Sequence, residues 1–367
     1  MTDPVIPPTV PTTMAAVLLT GPGDFDKLEY RTDVPVPTPA EDQVLIRVGA
    51  AGVNNTDVNT RIGWYSKSVT GDTADAATVD GDGPEDGGWG GALDFPRIQG
   101  ADACGEIVAV GAGVDPGRIG ERVLVSTMQR HPTGDRPWIT AVFGSEFDGG
   151  FAQYAVAHHR ETHAVDCDWS DVELASIPCA YSTAENMLHR IGLGAERVVI
   201  TGASGGVGSA AVQLAKRRGA TVTAVSSASK AEGVRALGAD RVIDRNADLV
   251  AELGENSIDV VVDLVAGPSW GQLVKVMRIG GRYITAGAIA GPLVELDVRD
   301  LYLKDLTLKG STYQEEGVFE NLIGYIERGE IRPVIAGTYP LAEIVQAQTD
   351  FLAKGFVGKL VLVPPAD

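Results

Sequence analysis

Arg197-Val-Val-Ile-Thr201 runs directly into Gly202-Ala-Ser-Gly-Gly-Val-Gly208, and this stretch decides the architecture. A short apolar strand is followed by a glycine-rich turn and then by a helix expected over roughly Val207–Arg218. Glycines at 202, 205 and 208, with Gly206 as an extra, allow a tight turn and close approach of a ligand. The N-terminus of the helix offers unbonded N–H groups and the positive end of its dipole. Together these suit a pyrophosphate, with Ser204, Gly205, Gly206 and Val207 as its cradle. The bland alternative is a helix-packing turn without a ligand.

The residues after the turn extend the same pattern. Strands are expected at Thr221–Val225, Arg241–Ile243, Asp259–Leu264 and Arg282–Thr285, and helices at Lys230–Leu237 and Gly271–Met277. Apolar strands alternating with helices predict a parallel sheet covered on both faces. The tip of the second strand then discriminates between cofactors. A site for an unphosphorylated ribose usually places Asp or Glu there. Here the chain reads Val225-Ser-Ser-Ala-Ser-Lys230, with no acid. Ser226, Ser227 and Lys230 suit a 2′-phosphate, and Arg245, just after the third strand, is placed to close over it. NADPH is therefore expected rather than NADH; otherwise Lys230 is a solvated residue at a helix start.

Before about Ser170 the character is different. Met14–Leu19, Gln43–Ala51, Gly105–Val110 and Arg122–Val125 read as strands, and Pro35, Pro37 and Pro39 as an extended linker. Helices are expected at Glu173–Ala175 and Thr183–His189. Near Asp305 the pattern reverts, with Leu306–Gly310 and Lys359–Val363 as strands and Val318–Arg328 as a helix. Two long loops interrupt the first region. Ser66–Asp94 carries seven acids against one lysine, and reads either as a solvated insertion or as a lid pinned by Trp89 and Phe95. Ser126–Phe147 contains Trp138 and Phe143 but no cysteine.

Composition sets the limits. A chain of 367 residues suits two domains. Thirty basic against forty-nine acidic residues leave a net charge of −19, which repels nucleic-acid phosphates and anionic lipid. Neither nucleic acid nor membrane is expected as a partner, and no apolar run reaches the length of about 18 residues that spans a bilayer. The opening MTDPVIPPTVPTTM lacks the marks of a secretory signal and reads as a mobile extension. Three widely spaced cysteines, Cys104, Cys167 and Cys179, suit a reducing, cytoplasmic setting.

Six ordered motifs carry a family resemblance over nearly the whole chain after Met14. They are Ala51-Gly-Val-Asn-Asn-Thr-Asp57, Gly100-Ala-Asp-Ala-Cys-Gly-Glu106, Gly120-Glu-Arg-Val123, Gly149-Gly-Phe-Ala-Gln-Tyr154, Thr201–Gly208 and Gly358-Lys-Leu-Val361. The sequence resembles the medium-chain dehydrogenase/reductase superfamily, and within it the zinc-independent quinone oxidoreductase branch. The resemblance implies an α/β protein: a Rossmann parallel-sheet cofactor domain plus a GroES-like β-barrel catalytic domain. Residues 1–172 would form the catalytic domain with a C-terminal return at 310–367, and residues 173–309 the NADP-binding domain. It also implies a homodimer, expected to meet through the edge region of the fifth strand, Arg282–Val298.

Zinc-dependent members of the superfamily carry a Cys after Gly-Val, then Gly-His-Glu, then a later Cys. Those positions here are Asn54, Gly100-Ala101-Asp102 and Cys179. One thiolate, Cys179, and one carboxylate, Asp102, fall short of the ligands zinc needs, so no metal is expected. Without a Lewis acid, what remains is hydride transfer from a nicotinamide to an electron-poor acceptor. The expected substrate is a quinone or an α,β-unsaturated carbonyl. An alcohol dehydrogenase, an enoyl-thioester reductase and a non-catalytic NADPH-binding relative are the rivals.

The resemblance also suggests site residues. Asn54 would lie near nicotinamide and substrate, or else serve as a turn or cap residue. Tyr65 would donate a hydrogen bond to a developing oxyanion, or form an aromatic wall. Asp102 would accept a relay hydrogen bond or merely hold Asn54. Asp57 is expected to cap the helix that starts there and to pair with Arg61. Thr183 would lie by the nicotinamide, with Gly287, Ala288 and Ile289 at its carboxamide and Ser311, Thr312 and Tyr313 beside the cleft. Lys359 either reaches the cofactor or is a surface lysine.

Overall fold

A computed structural model describes residues 10–77, 83–130 and 141–366. The start of the proline-rich extension, up to Thr9, and Trp138 of the second loop lie outside the described residues.

Six parallel strands form one sheet, in the spatial order Arg241–Asp244, Thr221–Ser226, Arg197–Ile200, Ile258–Asp263, Met277–Thr285 and Thr307–Gly310. In chain order this is third, second, first, fourth, fifth, sixth, the doubly wound Rossmann arrangement. Val198, Val199 and Ile200 are fully buried, as are Val260, Val261 and Val262. Consecutive apolar residues must bury both faces of their strand, so helices cover the sheet on both sides. The strand order reverses between Arg197–Ile200 and Ile258–Asp263, which opens a crevice at the carboxyl ends of those strands.

The second body is built on Gln43–Gly52. This strand pairs antiparallel with Cys104–Val110, Tyr154–His158 and, at its end, Lys359–Val363. Arg122–Val125 and Thr162–Ala164 extend one side of the sheet and Ile335–Pro340 the other. A smaller sheet joins Leu28–Pro35, Thr13–Leu19 and Arg97–Ile98. Met14, Ile46, Ile107 and Phe151 share one apolar core with Leu360 and Leu362. The end of the chain thus completes the sheet begun in its first third, giving the GroES-like β body of the α/β fold.

Several expectations need correction. Lys230–Leu237 is a 3-10 turn at Ala228–Lys230 followed by helix Ala231–Ala236. The fifth strand begins at Met277, and the helix before it spans Trp270–Val276. That strand is not the sheet edge, because Thr307–Gly310 lies outside it. Strand Ile335–Pro340 and helices Leu249–Leu253, Val298–Leu303 and Ile344–Ala353 were not anticipated. Asp57 does not start its helix. Helix Asn55–Ile62 follows Asn54, and Asp57 reaches back so that its carboxylate accepts from the Asn54 N–H at 2.7 Å. Arg61 does not pair with Asp57. Its fully buried guanidinium donates to Gly23 O and Gln348 Oε1 and approaches Asp24 at 3.6 Å.

Candidate active site

Residues of both bodies line a cleft of about 640 Å³ at the carboxyl ends of the parallel strands. Gly202 sits at φ +61°, and a Cβ on Gly208 would meet Gly202 O at 2.1 Å, so the turn can only close with glycine there. Helix Gly206–Arg217 starts from Gly205 without a side-chain cap. Its first-turn N–H groups have no intrahelical partner, and Ser204, Gly205, Gly206 and Val207 all face the cleft.

Ser226, Ser227, Lys230 and Arg245 line the same cleft. Ser226 is 4% exposed, and among the described residues its Oγ has no hydrogen-bond partner. A buried hydroxyl left open in this way fits a phosphate or ribose oxygen. Asp244 ends the adjacent strand, but its carboxylate is occupied: it accepts from Ala228 N and Asn246 N, each at 2.9 Å. The acid therefore braces the loop. Sequence reasoning missed Lys354, whose stretch Lys354-Gly-Phe-Val-Gly-Lys359 precedes the last strand. Its ammonium lies 3.6 Å over the Phe351 ring and 3.4 Å from Asn55 Oδ1. Burial, with Lys230 nearby, pushes it down to about 7. Burial and Arg245 also lower Lys230.

Thr183, Gly287, Ala288 and Ile289 line the middle of the cleft. The neighbouring loop depends on Asp263, which is fully buried and was also missed. Its carboxylate accepts from Thr201 Oγ1 at 2.5 Å, Tyr283 Oη at 2.6 Å and Val265 N at 3.0 Å. The same carboxylate takes the N–H of Ala266, which is held at φ +54°, where alanine rarely sits. Asn186 Nδ2 donates to Ser311 Oγ and Tyr313 O, each at 2.9 Å, and so ties the return crossover to the cleft wall.

At the other end Asn54 lies in the cleft wall. Its Nδ2 donates to Asp102 Oδ2 at 2.8 Å and to Gly52 O at 3.2 Å. Its Oδ1 accepts from Lys359 Nζ at 2.5 Å. Lys359 is 3% exposed, which overturns the surface-lysine alternative. Its stem lies against Gly206, and its ammonium also donates to Val53 O at 3.0 Å and Asp102 Oδ2 at 2.9 Å. The three hydrogens of the ammonium are thus matched by three acceptors within the protein, and the ammonium points to Asn54 rather than to the phosphate loop. Asp102 is fully buried, takes the Cys179 N–H at 2.6 Å, and does not line the cleft. Its carboxylate holds Asn54, Lys359 and the start of the helix bearing Cys179. Burial pushes Asp57 up to about 7, against the N–H groups of Asn54 and Ala101. Burial also raises Cys179, so it remains a thiol.

Tyr65 lines the cleft, but its phenol donates to Thr56 Oγ1 at 3.0 Å. The O–H expected to reach a substrate oxygen is committed to that threonine. Trp89, from the long acidic segment, donates to the same Thr56 oxygen at 2.8 Å. The described part of that segment forms a wall of the cleft through Asp72, Thr73, Ala74 and Trp89. Thr73 N donates to Ile289 O, anchoring the wall on the opposite body.

This architecture has relatives. Residues 40–166 match the alcohol dehydrogenase GroES-like domain, and residues 206–328 match the zinc-binding dehydrogenase family. A quinone oxidoreductase from Lama guanicoe is 31% identical over 95% of this chain and 97% of its own. The chain belongs to the medium-chain dehydrogenase/reductase superfamily and is quinone oxidoreductase-like. An acryloyl-coenzyme A reductase from Sulfurisphaera tokodaii is 27% identical, covering 96% of this chain and all (100%) of that one. A crystal structure from Sinorhizobium meliloti 1021, described provisionally as an alcohol dehydrogenase, is 47% identical with a TM-score of 0.87 over 98% of each chain. As a medium-chain dehydrogenase/reductase, the protein is an oxidoreductase that uses a nicotinamide cofactor and a small-molecule substrate. The open Ser226 hydroxyl, the glycine turn and the free helix N-terminus fit that cofactor. Zinc is a different matter. The Asp102 carboxylate beside Cys179 accepts from the Cys179 N–H, and both it and the Asn54 amide are already bonded to the Lys359 ammonium, a donor set that does not fit the metal.

Proposed function

We propose that the protein is an NADPH-dependent, zinc-independent reductase of quinones or α,β-unsaturated carbonyls. The observation that carries this reading is the buried Lys359 ammonium, bonded to Asn54 Oδ1 and Asp102 Oδ2 where a metal centre would need free donors. NADPH is favoured by Lys230, Arg245 and Lys354 around the open Ser226 hydroxyl, and by Asp244 being occupied elsewhere.

When bound, the reduced nicotinamide supplies one hydride, and a proton from water completes the hydroquinone or saturated carbonyl. The glycine turn and helix N-terminus hold the diphosphate, and the three cations hold the 2′-phosphate. Thr183 and the backbone at Gly287 and Ala288 orient the nicotinamide. Asn54 is kept in one orientation by Lys359 and Asp102, which makes those two positioning residues.

We further take residues 1–172 with 310–367 as the catalytic domain and 173–309 as the cofactor domain. A homodimer is supported by the exposed Leu293, Val298, Tyr302 and Leu303 beside the edge strand Thr307–Gly310. Sedimentation of wild type against Leu303→Glu tests it, with a shift to monomer expected. Three free thiols are in keeping with a cytoplasmic setting. Among the described residues, no helix is long and apolar enough to cross a membrane.

The test of the main reading is loss of NADPH absorbance with benzoquinone, cyclohexenone, crotonyl-coenzyme A and a simple ketone, with and without a chelator. Chelator-resistant turnover of the quinone or enone is expected. Chelator-sensitive ketone reduction, or zinc retained at one ion per chain, would overturn the reading. Preference for the thioester would move the substrate toward that of the acryloyl-coenzyme A reductases.

A further inference from the structure

Lys354 ends helix Ile344–Ala353 at φ +51°, a conformation in which glycine or asparagine is usual. Its side chain lines the cleft, with the nitrogen 3.6 Å from the centroid of the Phe351 ring. Phe356 lines the cleft as well, its ring 6.3 Å from that of Phe351. Among the described residues its acceptor is Asn55 Oδ1, at a long 3.4 Å, and no carboxylate pairs with it. The charged group beside it is another cation, Lys230. Apolar surroundings and a neighbouring cation both disfavour the charged form of an amine. They hold Lys354 at about 7, so near neutral pH much of it is an uncharged amine with a free lone pair. Desolvation beside a second cation is a common way to make a lysine nucleophilic. Lys359 is the contrast, its nitrogen enclosed by three acceptors of which one is a carboxylate.

The same neighbours choose the reagent. Lys230 and Arg245, with the open Ser226 hydroxyl, suit a phosphate group. Before the cofactor binds, they are as suited to another small phosphate compound. If that compound carries an activated carbonyl, its electrophilic carbon comes to rest beside the Lys354 amine.

We propose that Lys354 is an acylation site, and that it takes its acyl group from a small acyl phosphate held by Lys230 and Arg245. The amine nitrogen attacks the carbonyl carbon and the bond from that carbon to the phosphate oxygen breaks. Inorganic phosphate leaves and takes the proton that the nitrogen gives up. The product is an uncharged amide. One cation fewer then faces the 2′-phosphate, so acylation lowers the affinity for NADPH and leaves NADH nearly untouched. Bound NADPH, in turn, shields the amine. The effect on affinity rests on the NADPH reading above; the reactivity of the amine does not.

The test incubates the wild-type protein with acetyl phosphate at neutral pH and follows each lysine by peptide mass spectrometry. Lys354 is expected to react roughly tenfold faster than the exposed Lys67. Its rate should rise with pH and level off above about 7, because only the neutral amine attacks. NADPH should suppress the reaction, inorganic phosphate should slow it, and NADH should protect far less. With N-acetoxysuccinimide, which carries no phosphate, the lead of Lys354 over Lys67 should shrink. The acetylated protein should bind NADPH about tenfold more weakly in a fluorescence titration, and Lys354→Gln should match it. Should that variant fail to fold, the acetylated wild type decides. Acetylation of Lys354 no faster than that of Lys67, or of Lys230 in its place, overturns the proposal. An undiminished lead with N-acetoxysuccinimide overturns the role given to the phosphate. Equal affinity of the untreated protein for NADPH and NADH would sink the 2′-phosphate reading instead, and the rate at Lys354 would still decide the acylation.

Discussion

The two ends of the cleft treat charge in opposite ways. At the Rossmann end Lys230, Arg245 and Lys354 face one cavity, and among the described residues none forms an ion pair. The acid next to Arg245 in sequence, Asp244, is bonded to backbone N–H groups. At the barrel end Lys359 and Asp102 neutralise one another out of contact with water. Unpaired cations attract a ligand that brings its own negative charge. A closed ion pair attracts nothing, but it fixes the direction of the amide beside it. The first end is built for affinity and the second for orientation.

That contrast can be broken at its strongest point first. Lys359→Met leaves Asp102 buried without its cation and should cost about 3–5 kcal/mol in denaturant unfolding. Adding Asp102→Leu should recover most of that loss; if it does not, the two residues do not act as a pair. At the other end, Lys230→Ala with Lys354→Met should weaken NADPH binding by roughly 100-fold at low salt and leave NADH nearly unchanged. Fluorescence titration of both cofactors measures it, and equal losses would argue against a 2′-phosphate site.

Two pH profiles sharpen the same contrast. Burial raises Asp57 from 3.8 to about 7, so the folded state keeps a proton that the unfolded state has released. Stability should therefore fall as pH rises from about 4 to 7, by at most about 1.4 kcal/mol per unit, and level off above. In Asp57→Asn that decline should vanish from the unfolding free energies. Lys354 has the opposite sense. Its amine is held at about 7, so it loses its charge as pH rises through neutrality. NADPH affinity should then weaken a few-fold above pH 7, and a Lys354→Gln variant should show no such step.

The parallel sheet was legible because its evidence is local. Val198–Ile200 and Val260–Val262 announce burial on both faces without reference to anything distant. Helix Val298–Leu303 was not legible, since Val298, Tyr302 and Leu303 are exposed and leave no apolar stripe to read. Strand Ile335–Pro340 was hidden by its Gly337 and terminal Pro340. The phosphate loop could be read from adjacent glycines. The group around Asn54 could not, because Lys359 meets Asn54 across 305 residues of chain and Asp102 across 257. Tyr65 and Trp89 were each noticed as aromatic residues. Their convergence on the hydroxyl of Thr56 is a property of the folded loop alone.

The late strand Lys359–Val363 also has a consequence for how the chain is made. The Rossmann strands are contiguous in sequence and can assemble soon after they leave the ribosome. The Ala51–Gly52 end of the first body, which pairs with Val361 and Leu362, cannot. At roughly 5–20 residues per second, its partner emerges on the order of 15–60 s later. Throughout that interval an apolar sheet edge is open to passing chains. A nascent-chain chaperone, or a slow codon near the end of the message, would therefore be felt first in the β body, with the cofactor domain already formed.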